Sequence, residues 1–379
     1  MPEDPKPGIE DFRNGPPGIE PAQTSITAII GNFNSSAAER PVLLTSEADL
    51  NDKLNDNTSP SAQAVAQFFV NGGRECWVVC AKPTEPKLDR VEALKSAIES
   101  LDQIDAPNLL SIAAASELDA TECAEVIAFA AELCKTRNSF LLVDPPTKLH
   151  TPDDILTWLD GNPALRIENA ALYFPWVRIA DRSNPAQQVR LPPSTTMAGV
   201  IARVDLNRGV WKAPAGREAT LIAVAGLDYS LSDKENDRLN RHGVNCLRTF
   251  PDSGPVCWGA RTVSLNNEWR YVPVRRLALF IERSIYQSTQ WAIFEPNAEA
   301  LWANVRAVIE DFLVGLWRQG ALAGIKPEEA FFVKCDRTTM TQNDLDNGRL
   351  IALVGIAPLK PSEFVIIRIE LMTAGASEK

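Results

Sequence analysis

Two histidines, His150 and His242, are the only imidazoles in the 379-residue chain. They are therefore its only side chains with an ordinary pKa near neutrality. His150 stands in the loop sequence "DPPTKLHTPDD", and His242 closes a charged segment as "RHG". A histidine at a helix C-terminus complements the helix dipole, and this structural role is the simpler reading of His242. Cys76 and Cys80 in "CWVVC" invite a metal or redox site. On one face of a strand they stand about 13 Å apart, beyond the reach of a disulfide or a shared ion, so they read as buried thiols.

The glycine-containing runs "NGG" and "GVWKAPAG" lack the spacing and the Lys-Ser/Thr of a phosphate loop. "DLDNG" starts like a calcium loop but has no bidentate glutamate at the twelfth position, so it reads as a turn or cap. No catalytic, cofactor-binding or metal-ligating set is assigned. Arg276 and Arg283 in "RYVPVRRLALFIERS" are seven residues apart and share one helix face. They are either solvated or paired surface charges, with Glu282 as a partner, or a basic stripe that meets an acidic surface.

The elements that would position these residues alternate. "TSITAIIG", "ECWVVCA", "NLLSIAAA", "SFLLVDPP" and "AALYFPW" are short apolar strands. Helical segments such as "SPSAQAVAQFFV", "LDRVEALKSAIESL", "TECAEVIAFAAELCKT" and "DDILTWL" separate them. This pattern predicts right-handed crossovers and a mainly parallel sheet. "LPPSTTMAGVIARVDLNRG" adds a helix, and "ATLIAVAG" and "VNCLRTF" add strands around the polar helix "SDKENDRLNRHG". After about residue 259 two long amphipathic helices and a strand-rich end follow. The expected architecture is a parallel-sheet α/β domain over 24–259 and a smaller α+β domain over 260–361. Extended arms over 1–23 and 362–379 flank them.

A formal charge of −11 argues against general nucleic-acid binding. No run of eighteen apolar residues is present, so no membrane insertion is expected. The N-terminus "MPEDPKPGIEDF" lacks the regions of a signal peptide, and an odd cysteine count of 7 fits reduced thiols. Both point to cytoplasmic assembly. The terminal segment "EFVIIRIEL" is β-prone, with Phe364, Val365, Ile366, Ile367 and Ile369, yet only the polar "MTAGASEK" follows it. Such a strand suits pairing with another chain.

The motifs "WGART", "WRYVPVRRL", "IERSI", "QWAIFEPN", "WRQGALAG" and "CDRTTMTQNDLDNG" stand in this order from Trp258 to Gly348. Together with "FFVNGGRECWVV" and "RGVWKAPAG" they resemble the contractile tail sheath proteins of phage tails, pyocins and extracellular contractile injection systems. The resemblance covers roughly residues 20 to 370. It implies sixfold rings stacked helically around an inner tube, with a baseplate and terminal cap proteins as further partners. It also implies a subtilisin-like α/β part without catalytic residues, and an α+β part nearer the tube. Terminal arms are implied to link subunits by strand exchange, which is the role expected of Phe364–Ile369. Arg276 and Arg283 then become candidate tube contacts.

At the N-terminus only Pro7, Gly8 and Ile9 keep the family's strand pattern, and Pro16 and Pro17 confine any strand to Gly8–Arg13. Gly8, Ile9 and Phe12 are the candidate N-terminal linker. The rival readings are a non-contractile adaptor or terminal-ring protein of the same family, and a degenerate α/β enzyme.

Overall fold

Residues 16–35, 39–81, 89–105 and 107–361 are described by a computed structural model. In chain order the first half contains β1 (Thr27–Gly31), β2 (Val42–Leu44), α1 (Asp49–Asp52), α2 (Pro60–Val70), β3 (Cys76–Cys80), α3 (Arg90–Glu99) and β4 (Leu109–Ser111). It continues with α4 (Ala120–Thr136), β5 (Phe140–Val143), α5 (Pro152–Gly161), β6 (Ala170–Phe174), β7 (Val177–Ala180), β8 (Gln188–Leu191) and α6 (Pro193–Arg208). The second half contains β9 (Gly226–Leu227), α7 (Asp233–Arg241), β10 (Val244–Phe250), β11 (Gly254–Cys257), α8 (Val272–Ser288) and α9 (Glu299–Arg318). It ends with α10 (Pro327–Ala330), β12 (Phe331–Lys334), α11 (Gln342–Asp346) and β13 (Leu353–Ile356).

The main sheet has the order β11-β10-β6-β5-β4-β1-β3-β2. Its six inner strands are mutually parallel, and β2 and β11 close the two sides antiparallel. Alternate side chains of each strand feed opposite cores, as the pleat requires. Ala28, Ile30, Leu110, Leu141 and Leu172 join α3, α4 and α5 on one face. Ile29, Cys76, Val78, Phe140, Leu142 and Tyr173 join α2 and α6 on the other.

Helix starts follow their caps: Ser59 Oγ accepts the Ala62 N–H, and Asp119 and Ser232 build full capping boxes. A Cβ on Gly199 of α6 would stand 2.3 Å from the Phe68 carbonyl oxygen of α2. Glycine there lets the two helices cross backbone to backbone.

The expected strand "ATLIAVAG" is mostly absent: Thr220 makes an isolated bridge to Val256, and only the last residue, Gly226, belongs to a strand. Its backbone is claimed elsewhere. The Leu221 N–H donates to Pro255, Asn71 bonds both backbone groups of Ile222, and Ala223 has φ 57. Partners of that kind replace a ladder, so the apolar run becomes a loop lining.

Helix α8 joins the two halves. Val272 and Leu279 pack into the core under the main sheet, while Leu277, Phe280 and Ile281 pack with α9, β12 and β13 in a third core. The start of the described chain is pinned to the same helix. The Glu20 and Ala22 N–H groups donate to Ser288 and Ser284 Oγ, each at 3.0 Å.

Candidate assembly surface

Of the two arginines expected on an outward stripe, Arg276 is internal and Arg283 half-buried. Their spacing does place them on one face of α8, but that face is packed. Arg276 is 3% exposed, and its guanidinium grips Asp205 of α6 with both carboxylate oxygens, at 2.8 and 2.6 Å. It also donates to the Thr24 carbonyl at 2.9 Å. Arg283 is half-buried and donates to the Arg137 carbonyl at the C-terminal end of α4 at 3.0 Å, where a cation complements the helix dipole. Burial pushes its pKa down. Burial of Arg276 corrects its reading as an outward tube contact, whereas Arg283 keeps part of its surface exposed; within the subunit the two cations hold α8 to α6 and α4. What the sequence hid was Asp205, whose carboxylate is 71 positions away in the chain.

A second polar cluster went unnoticed in the sequence. Asp144, just past β5, accepts the Ser194 N–H at 2.8 Å and lies 2.5 Å from Ser194 Oγ. Ser194 Oγ is 2.6 Å from Ser111 Oγ, which is 2.9 Å from Thr195 Oγ1. An Asp–Ser pair at a helix N-terminus is the feature most like an active site, so its access decides the matter. Asp144 is 4% exposed and the three hydroxyl residues are 0% exposed, which leaves no approach for a substrate. The helix N-terminus that could bind an anion is filled by the chain's own carboxyl group.

Neither histidine reaches this cluster. His150 is exposed, with its backbone N–H donating to Asp154, and His242 caps α7 with Nδ1 2.8 Å from the Arg238 carbonyl. Burial pushes the thiols of Cys76, Cys123, Cys134, Cys246 and Cys257 up, away from the nucleophilic thiolate. Among the described residues no three His, Cys, Asp or Glu side chains are grouped as metal ligands. Replacing His150 and His242 together by Gln should leave assembly unchanged, as read by electron microscopy of the variant.

Burial raises the pKa of Asp144 to about 7, against the opposing hydrogen bonds from Ser194. The folded state thus holds a proton that the unfolded chain releases near pH 4. This contribution to stability is complete below that pH and is lost as pH rises through 7, at up to about 1.4 kcal/mol per unit. Asp144→Asn keeps an acceptor and a donor toward Ser194 but cannot ionise. Urea unfolding between pH 4 and 7 should therefore show a smaller loss of stability for the variant than for the parent chain.

The exposed chemistry is that of a strand edge. β12 and β13 pair with each other in the register Phe331↔Ile356 to Lys334↔Leu353, and no further strand flanks them among the described residues. Phe332, Leu353 and Leu359 are 53%, 50% and 48% exposed beside these edges. The described chain ends two residues later at Pro361, immediately before "SEFVIIRIEL". The strand residues Phe364, Val365, Ile366, Ile367 and Ile369, and the linker residues Gly8, Ile9 and Phe12, lie outside the described residues.

An open-edged sheet that carries exposed apolar side chains has room for a further strand from another chain. Residues 96–263 match the phage tail sheath protein central domain, and residues 264–372 match the phage tail sheath C-terminal domain. The sheath of an extracellular contractile injection system, the PVC sheath complex in its contracted state, is 30% identical. It has a TM-score of 0.79 over 98% of each chain. A chain of the sixfold-symmetrised anti-feeding prophage baseplate is 29% identical, with a TM-score of 0.79 over 98% of this chain and 100% of that one. The tail sheath protein of Burkholderia phage BcepMu is 28% identical over 168 residues, which is 42% of this chain and 35% of that protein. The matched segments span 26% to 50% of the length of the curated tail sheath relatives.

The chain belongs to the contractile tail sheath family. Its relatives are structural sheath proteins, and it is a structural subunit of a phage tail-like particle rather than an enzyme.

Proposed function

We propose that the chain polymerises as helically stacked hexameric rings around an inner tube, and that contraction of this sheath drives the tube through a target envelope. The observation that carries the reading is end-to-end similarity to a sheath determined in the contracted state. The open-edged β12–β13 sheet supports it, since it offers ladder positions to a strand donated by a neighbour. Phe364, Val365, Ile366, Ile367 and Ile369 supply that strand, and Gly8, Ile9 and Phe12 form the N-terminal link.

Each large apolar side chain buried at such a link contributes about 1.5–3 kcal/mol before ordering costs. Links repeated along a lattice hold subunits together while their bodies rotate. The extended lattice is a metastable state, released by a baseplate trigger to one with more buried interface, so the chain itself needs no nucleotide. Inner tube, baseplate and terminal cap proteins are its further partners, and assembly is cytoplasmic. The parallel-sheet body over 24–259 is read as a subtilisin-like scaffold on the outside of the sheath. The closed Asp144–Ser194 cluster suits that non-catalytic role. The 260–361 part faces the tube.

Negative-stain microscopy of the chain produced with its tube protein tests this. Striated tubes are the expected result; isolated monomers would contradict it, and a single ring at one end would favour a terminal-ring protein.

A further inference from the structure

The largest cleft among the described residues, about 800 Å³, lies between the loop after α6, α7 and the start of α8. Rings of Trp211, Trp258 and Tyr271 line it, and Trp258 is 39% exposed. Arg241 and Lys360 line it too, both exposed and without an ion-pair partner among the described residues. Asp237 is the only carboxylate in this lining, and the nearby Glu218 is engaged by Arg208 and Lys212. In a chain of net charge −11, open rings beside unpaired cations suit an occupant that is apolar and acidic.

The described chain ends in the wall of this cleft. After β13 the Ala323 N–H donates to the Ala357 carbonyl at 2.7 Å, and Pro358 bridges Leu322. The Leu359 N–H then reaches the Ala321 carbonyl at 3.5 Å. This pairing leads the backbone toward Gly320 and Gln319, which line the cleft together with Lys360 and Pro361. No residue of β12 or β13 lines it. The sequence continues as "SEFVIIRIEL", an apolar run between the carboxylates of Glu363 and Glu370. Exposed on a lone subunit, such a strand pairs or aggregates indiscriminately. Residues 362–369 reach about 28 Å when extended, more than a cleft of this volume needs.

We propose that the unassembled subunit holds residues 363–371 in its own Trp211–Trp258–Tyr271 cleft. The apolar side chains cover the exposed rings, while Glu363 and Glu370 meet Arg241 and Lys360. The cleft is then an autoinhibitory site, which keeps the strand from pairing until the β12–β13 edge of a neighbour takes it. Assembly thereby competes with a contact inside one chain. Only the release rests on the sheath reading; the held state does not.

Whole chains, half of them 15N-labelled, would carry photoreactive benzoylphenylalanine in place of Ile367 and be irradiated while dilute and unassembled. Crosslinked peptides are then mapped by mass spectrometry. The expected result is equal-label crosslinks, without mixed ones, to the segments containing Trp211, Trp258 or Tyr271. Arg241→Glu with Lys360→Glu should lower their yield about fivefold, and Glu363→Lys with Glu370→Lys added to that variant should restore it. Trp258→Ala, which removes an exposed ring, should lower the yield as well. Circular dichroism checks that each variant is folded. Mixed-label crosslinks would assign the cleft to the strand of a neighbour, and crosslinks elsewhere would place the strand outside it. A yield indifferent to charge reversal would reduce the contact to the proximity of a tether. Each of these would overturn the proposal. The measurement needs no tubes, so its failure and failure of the sheath reading are distinguishable.

Discussion

Removing residues 363–379 yields a soluble, folded subunit that forms no tubes. The described residues by themselves build three cores. Two sandwich the main sheet, and the third closes around α8, α9, β12 and β13 with Ile309, Leu313 and Ala321 fully buried. Among the described residues the buried members of the third core end at Met340 and the part-buried ones at Ile356, so the truncated body is expected to keep this buried surface. What is lost is a donated ladder along the free edge of β12 or β13, once per subunit. Ile367→Pro should act in the same direction by deleting one donor and fixing φ. Circular dichroism and a thermal melt report the fold, and negative-stain microscopy reports the tubes. Unfolding of the truncated chain would assign the strand to its own core, and ordinary tubes would make it dispensable.

Arg276→Ala should unfold the subunit more readily, by about 3–5 kcal/mol, rather than impair assembly alone. Its guanidinium and the Asp205 carboxylate have side chains 3% and 4% exposed. Deleting one partner leaves the other charge buried without compensation. Asp205→Ala should cost a similar amount by the same reasoning. The double variant should cost less than the sum of the two, because no lone charge remains. Urea unfolding of the four proteins measures this coupling. A loss below 1 kcal/mol for Arg276→Ala would mean that water reaches the pair.

Much of the fold was legible because short apolar strands and capped helices carry local signals. "SPSAQAVAQFFVNGG" holds its own N-cap, its helical apolar spacing and its terminating glycines, and α2 follows within a residue or two. "ATLIAVAG" misled because apolar composition cannot tell a strand from a loop whose backbone bonds to Asn71 and Pro255. Helix spacing placed Arg276 and Arg283 on one face correctly. It could not show which face was packed, since Asp205 and the α4 carbonyls come from distant parts of the chain.

The Asp144–Ser194 contact likewise joins positions 50 apart, and no spacing rule connects them. The only hint was an aspartate ending an apolar strand and a "PPSTT" helix start. The assembly surface was half legible. The terminal strand announced itself by its apolar run, but the proposed acceptor came into view only with β12 and β13, which have no third strand beside them among the described residues.

A helical reconstruction of assembled tubes by cryo-electron microscopy, at a resolution that traces the chain, tests the central claim most directly. The predicted result is a hexameric helical lattice in which residues 363–371 leave one subunit and complete the β12–β13 sheet of another. Tubes in which that segment folds back onto its own subunit, or a chain that forms no helical lattice around its tube protein, would contradict it.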